Sequence, residues 1–198
     1  MIFVLSGPSG SGKTTLRELV LKDGLLKKKF VKSISLSTRP KRLGERQGKD
    51  YFFISEKEFL RLKRAKKILE WTKYLGYYYG TKKDSFEANL FKGKNIILCL
   101  DFKGALRIKK LYPKDTVVIL IIPPSVKELR KRIEGRSLST NQEEILRRLK
   151  LAREELKNSS QCDYTLRNIN LGRAVKKLKD IILREKGPWV LARRGSNR

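Results

Sequence analysis

The sequence predicts an α/β fold with a parallel sheet core flanked by helices. Three observations carry this. Short, near-continuous apolar runs recur along the chain, as in strands buried on both faces. Patterns of helical periodicity follow most of those runs. A glycine-rich loop joins the first run to the first helix. The chain has 198 residues, room for one domain with small inserted subdomains.

Ile2–Ser6 reads as the first buried strand, followed by a glycine-rich turn and a helix over Lys13–Lys22. Residues 33–83 break the alternation. They are rich in Arg, Tyr, Gly and Ser, with short strands at Tyr51–Ile54 and Leu69–Tyr74, and read as an inserted subdomain. Asn95–Asp101 and Thr116–Ile122 are the next core strands, leading into helices at Gly104–Leu111 and Val126–Ile133. Residues 134–142 form a polar, glycine-containing segment between two helices, read as a mobile flap. A strand at Tyr164–Asn168 and a helix at Leu171–Glu185 complete the core. The expected division is one domain over residues 1–186. Its core is residues 1–32, 84–125 and 149–186, its insert residues 33–83 and its lid residues 126–148, with a flexible tail at 187–198.

Composition narrows the function classes. Forty-eight Lys and Arg stand against 20 Asp and Glu, a net charge of +28 that favours phosphate-bearing partners. The basic residues are spread along the chain, with no stripe and no aromatic-interleaved RNA motif, so nucleic-acid binding is expected only as a non-specific charge effect. Histidine is absent, which removes histidine acid–base catalysis and histidine metal ligation. Cys99 and Cys162 lack CxxC spacing, which argues against a zinc site or a disulfide framework and suits a reducing cytoplasm. No run approaches a membrane span, and Ile2–Leu5 is too short for a signal peptide.

Gly7-Pro8-Ser9-Gly10-Ser11-Gly12-Lys13-Thr14 fits G-x-x-x-x-G-K-[ST], after a strand and at the start of a helix, the context that gives the motif meaning. The glycines let backbone N–H groups turn toward phosphates, and the helix N-terminus adds partial positive charge. Lys13 is placed to reach the β and γ oxygens of a nucleoside triphosphate, and the Thr14 hydroxyl to ligate Mg²⁺. Thr81-Lys82-Lys83-Asp84 fits the spacing of a GTPase base-reading motif. It lies inside the insert rather than after a late core strand, so the match reads as accidental.

The insert carries the more specific signal. It contains Ser35, Arg39-Pro40-Lys41-Arg42, Gly48-Lys49-Asp50-Tyr51, Glu70-Trp71 and Tyr78-Tyr79-Gly80-Thr81, in that order. Asp101 and Gly104 follow, then Pro123-Pro124-Ser125, Arg132 and Gly135-Arg136. Two arginines three residues apart suit a phosphate dianion, with the Tyr51 and Tyr79 hydroxyls as further donors. A carboxylate such as Glu70 accepts from guanine N1 and N2 and mismatches adenine.

From the P-loop to about Leu183 the chain resembles the guanylate kinases. The resemblance implies a P-loop nucleoside monophosphate kinase fold with an inserted monophosphate-binding subdomain and a lid. It implies transfer of the ATP γ-phosphoryl to GMP, with Mg²⁺ as cofactor and ATP and GMP as partners, in a monomer or small homo-oligomer. The implied catalytic residues are Lys13, Arg132, Arg136 and Arg148. The implied ATP-binding residues are Gly7 to Thr14, Thr15 and Asn168. The implied GMP-binding residues are Ser35, Arg39, Arg42, Tyr51, Glu70, Tyr79, Gly80, Thr81 and Asp101. Thr14 and Asp101, the latter through water, are implied at the metal. An acceptor that is already an ionised phosphate needs no general base, which suits a chain without histidine.

Three departures from the family pattern stand out. Cys99 replaces an acidic residue two positions before Asp101. The lid between Arg136 and Arg148 is one residue longer, with Ser137 for a common glycine. Ile169-Asn170 replaces an acidic pair. These mark a divergent enzyme, because the P-loop and acceptor-phosphate residues are intact. Two alternatives stay open: a related kinase for another phosphorylated acceptor, such as a ribose bisphosphate, and a non-catalytic binding module.

Overall fold

The computed structural model describes residues 1–135 and 142–185. In chain order the elements are β1 (Ile2–Ser6), α1 (Lys13–Val20), α2 (Gly24–Lys29), β2 (Phe30–Lys32), β3 (Leu36–Ser37) and β4 (Phe52–Phe53). Next come α3 (Glu56–Arg64), β5 (Ile68–Tyr74), β6 (Tyr77–Lys82), α4 (Lys83–Phe91), β7 (Asn95–Cys99) and α5 (Phe102–Leu111). Then follow β8 (Thr116–Ile122), α6 (Val126–Glu134), α7 (Gln142–Lys157), β9 (Tyr164–Arg167) and α8 (Leu171–Glu185).

The main sheet has the order β2-β7-β1-β8-β9 with every pairing parallel. β1 lies at its centre and all five of its residues are buried. Its side chains alternate between two cores, which is why the run is apolar throughout. Phe3 and Leu5 pack with Leu16 of α1 and Leu178 of α8, whereas Ile2 and Val4 pack with Ala105 and Ile108 of α5. Each such large side chain contributes about 1.5–3 kcal/mol by leaving water.

Helix boundaries follow from caps. α1 ends at Val20, two residues before its expected end. Asp23 turns outward and accepts from the N–H groups of Leu25 and Leu26, starting α2. β7 ends at Cys99 rather than at Asp101, because the Asp101 carboxylate caps α5 by accepting from Gly104 N at 2.7 Å. α5 therefore begins two residues earlier than its periodicity suggests. β8 and α8 span the residues predicted for them.

Residues 36–82 carry a second sheet, β4-β3-β6-β5. β5 and β6 form an antiparallel hairpin closed by Leu75 and Gly76, both at positive φ. The register slips between Ile68 and Glu70. Such a bulge re-aims a side chain, and here it stands where Glu70 turns into the cleft between the two sheets. α6 and α7 share a small apolar core of Leu129, Ile133, Ile145, Leu149 and Ala152. No helix among the described residues is long and apolar enough to cross a membrane.

Candidate active site

One cavity of about 680 Å³ runs from the glycine-rich loop after β1 to the second sheet. At its donor end the loop backbone is held in conformations only glycine adopts cheaply. Gly7 has φ +124° against the backbone of Ile121, and Gly12 has φ +99° directly beneath the Asn168 amide. Lys13 folds back and donates to the carbonyls of Gly7 and Pro8, the latter at 2.9 Å. Thr14 and Thr15 begin α1 and line the cavity. Ser9 and Gly10 line it as well, whereas Ser11 is buried behind the loop. There the Ser11 carbonyl accepts from Asn168 Nδ2 at 2.9 Å. Asn168 is thus brought to the outer side of the loop, 4% exposed.

The acceptor end is built from the second sheet. Arg39 is 8% exposed and forms a two-pronged pair with Glu45, at 2.7 Å and 2.5 Å. Its guanidinium stacks over Tyr51, 5.1 Å from the ring centroid. Glu45 also accepts from Arg42 N at 2.9 Å, so one carboxylate organises both arginines. Burial, then the neighbouring Arg39 and Arg148 cations, lower the Arg42 pKa. The Tyr51 and Tyr79 rings meet edge-on at 5.9 Å. Burial, chiefly, pushes the Tyr51 phenol up. Two arginines and two tyrosines thus share one corner of the cleft, chemistry suited to an anion.

Deeper in the cleft, Glu70 is 2% exposed and its Oε1 accepts from the Thr81 hydroxyl at 2.6 Å. Burial pushes the Glu70 carboxyl up to about 7, opposed by the Thr81 hydrogen bond and assisted by Asp101. Asp101 and Glu70 converge over Gly104. A Cβ there would stand 2.9 Å from Glu70 Oε2 and 3.1 Å from Asp101 Oδ1. Ser35 lines the same end. Gly80 lines it too, and it is also a packing glycine, since a Cβ there would meet Phe59 and Ile68 at 3.1 Å and 2.9 Å.

Two further predicted residues sit on α6 and α7. Arg148 is 8% exposed, lines the cleft and pairs with Glu144 of its own helix. Arg132 pairs with Glu128 at 2.9 Å, away from the cavity lining, while its Cβ lies over Gly10. Arg136 and the tail at 187–198 lie outside the described residues. Two acidic residues near the site, Glu45 and Glu155, have no predicted role. Glu45 gave a local hint, standing three residues after Arg42, the spacing that lets its carboxylate reach back to that backbone N–H. Glu155 of α7 gave none. It lines the cleft, and burial pushes its carboxyl up to about 7 against the pull of Lys13.

A five-stranded parallel sheet, a glycine-rich phosphate loop after its central strand and an inserted sheet whose basic pocket faces that loop are the features of a nucleoside monophosphate kinase. Comparison with known proteins gives the particular family. The guanylate kinase family model matches residues 1–185. A guanylate kinase from Caldanaerobacter subterraneus subsp. tengcongensis is 43% identical over 187 residues, covering 94% of this chain and 88% of the relative. A guanylate kinase from Thermotoga maritima is 41% identical, covering 93% and 87%. The crystal structure of guanylate kinase from Anaplasma phagocytophilum superposes with a TM-score of 0.78 at 33% identity, covering 94% of this chain and 86% of that one. The chain belongs to the guanylate kinase family.

Proposed function

We propose that this protein transfers the γ-phosphoryl of ATP to GMP, giving ADP and GDP. The observation that carries the reading is the buried Glu70–Thr81 pair facing a two-arginine, two-tyrosine corner across one cavity from the phosphate loop. Guanine donates from N1 and N2 to the Glu70 carboxylate, while Ser35 and Thr81 supply hydroxyl partners to the base. Arg39, Arg42, Tyr51 and Tyr79 hold the acceptor phosphate. Glu45 holds Arg39 until the phosphate takes its place, a swap of one oxyanion for another.

Lys13 leaves the loop carbonyls for the triphosphate oxygens, and the loop N–H groups orient the chain of phosphates. Arg148, Arg132 and Arg136 neutralise the transferring group as the lid at residues 126–148 closes over the insert at residues 33–83 and excludes water. Asn168 supports the donor site by holding the Ser11 carbonyl. No proton has to be removed from the acceptor, so positioning and charge neutralisation carry the catalysis.

The residues present suit a hydrated divalent cation, read here as Mg²⁺. Thr14 and Asp101 line the cleft, and the buried Oε2 of Glu155 has no hydrogen-bond partner in the protein. When bound with ATP, the cation supplies charge neutralisation at the phosphates, with Thr14 and Asp101 as its protein partners. We read the protein as a monomer or small homo-oligomer acting in the cytoplasm.

Steady-state kinetics on GMP, AMP, UMP and ribose phosphates test the reading. Preference for GMP is expected. Turnover of ribose phosphates without turnover of GMP would replace it with the related-kinase alternative.

A further inference from the structure

Glu155 lies in the last turn of α7, seven residues beyond Arg148, so the two side chains share a helix face two turns apart. Both line the cleft. Oε2 of Glu155 is sealed from solvent and accepts no hydrogen bond from the protein. A buried carboxylate oxygen without a donor is costly, and its retention calls for an explanation.

Its charged neighbours are Lys13 of the phosphate loop and Asp101 at the start of α5. Two carboxylates and one lysine therefore line one cleft, near enough for their charges to be felt. Bare carboxylates there would repel both phosphates. A divalent cation between them reverses that sign. Among the described residues no group of three acidic, cysteine or histidine side chains is placed to ligate a metal directly. The donor set therefore suits a cation held mainly by nucleotide phosphates that keeps several of its waters, as Mg²⁺ does.

We propose that Glu155 is a positioning residue for the nucleotide-bound divalent cation: with the cation bound, its carboxylate turns its unpartnered oxygen into the cleft to accept a hydrogen bond from a metal-bound water, and Asp101 shares that hydration shell. The proposal rests on the phosphoryl-transfer reading above. It adds a residue of the lid helix to the metal environment, so that α7 delivers Arg148 and the cation's second acidic partner in one movement.

Mn²⁺ titrations followed by electron paramagnetic resonance test it, using the full chain saturated with ADP. Wild type is compared with Glu155→Gln and Glu155→Asp, and ADP and GMP affinities are measured in parallel in EDTA. In Glu155→Gln, Mn²⁺ affinity is expected to fall roughly 10-fold or more, the usual cost of losing an outer-shell partner. ADP and GMP binding in EDTA stays unchanged, and Glu155→Asp recovers part of the loss. Unchanged Mn²⁺ affinity overturns the proposal. Weaker GMP binding in EDTA also overturns it, by placing Glu155 on the acceptor's hydroxyl groups, and weaker ADP binding in EDTA does so by giving it a structural role. If Glu155→Gln does not fold, Glu155→Asp carries the comparison, and a Mn²⁺ affinity equal to wild type refutes the idea. Failure of the wild type to phosphorylate GMP removes the proposed function, while the Mn²⁺ measurement with ADP is still read separately.

Discussion

The Thr81 hydroxyl donates to Glu70 Oε1 at 2.6 Å across the β5–β6 hairpin, in a pocket where Glu70 is 2% exposed. One oxygen of the carboxylate is thereby fixed and the group's plane set. The other, Oε2, stands beside Gly104. A base reader needs this fixed orientation, because an unoriented carboxylate surrenders rotamer entropy on binding.

Replacing Glu70 with Gln keeps the shape and puts an amide donor where guanine presents its own donors. Hydrogen bonds to charged groups are worth about 1.5–3 kcal/mol, so kcat/KM for GMP is expected to drop by roughly 10- to 150-fold. KM for ATP stays near the wild-type value. Initial-rate kinetics with each substrate varied in turn checks both halves.

Stability should decline with pH through Glu70. Its carboxyl is held at about 7 by burial, against 4.5 for an ordinary glutamate. Between those values the folded chain keeps a proton that the unfolded chain has released. The stabilisation is complete below 4.5 and is lost as pH rises through 7, on the order of 2–3 kcal/mol. Urea unfolding of wild type and Glu70→Gln at pH 5 and pH 8 measures it. The wild type should lose stability relative to the variant at pH 8, and GMP affinity of the free wild-type protein should weaken below pH 7.

Gly104→Ala should damage the acceptor site more than the donor loop. The new Cβ would lie 2.9 Å from Glu70 Oε2 and 3.1 Å from Asp101 Oδ1, displacing two carboxylates whose positions are set by Thr81 and by the α5 cap. Overpacking of this size costs about 1–3 kcal/mol, equivalent to a rise in KM for GMP of roughly 5- to 150-fold. Calorimetric titration with GMP and with an ATP analogue separates the two sites. An equal loss at both would show general unfolding instead.

Asn168→Ala removes the buried amide that holds the Ser11 carbonyl at 2.9 Å. Leaving a buried carbonyl unsatisfied costs about 1–3 kcal/mol. Both the urea midpoint and the affinity for an ATP analogue should fall, while GMP affinity holds. A lower midpoint with unchanged ATP-analogue affinity would separate Asn168 from the donor site.

Much of the site was legible in the chain because its parts are local. The loop at Gly7–Thr14 is one turn between a strand and a helix, so spacing alone specifies it. Arg39 and Arg42 lie on one short segment, whereas the capping role of Asp101 appeared only in the structure. The apolar runs of β1, β7 and β8 marked a sheet covered on both faces, and the structure places them side by side.

What spacing does not encode is register and facing. The bulge between Ile68 and Glu70 decides that Glu70 meets Thr81 rather than solvent, and a one-residue change of pairing would reverse it. The pairing of Arg39 with Glu45 depends on how the loop folds back, and the presence of Glu155 in the cleft that Lys13 and Asp101 also line on where α7 runs. Sequence by itself determined the glycine-rich loop and the alternation of strands and helices in the core, since both follow from short-range geometry, while the residue types of the acceptor pocket came from the family resemblance. Only the tertiary structure decided which carboxylates are buried, paired or left without a donor, because desolvation and long-range contacts exist only once the chain has closed on itself.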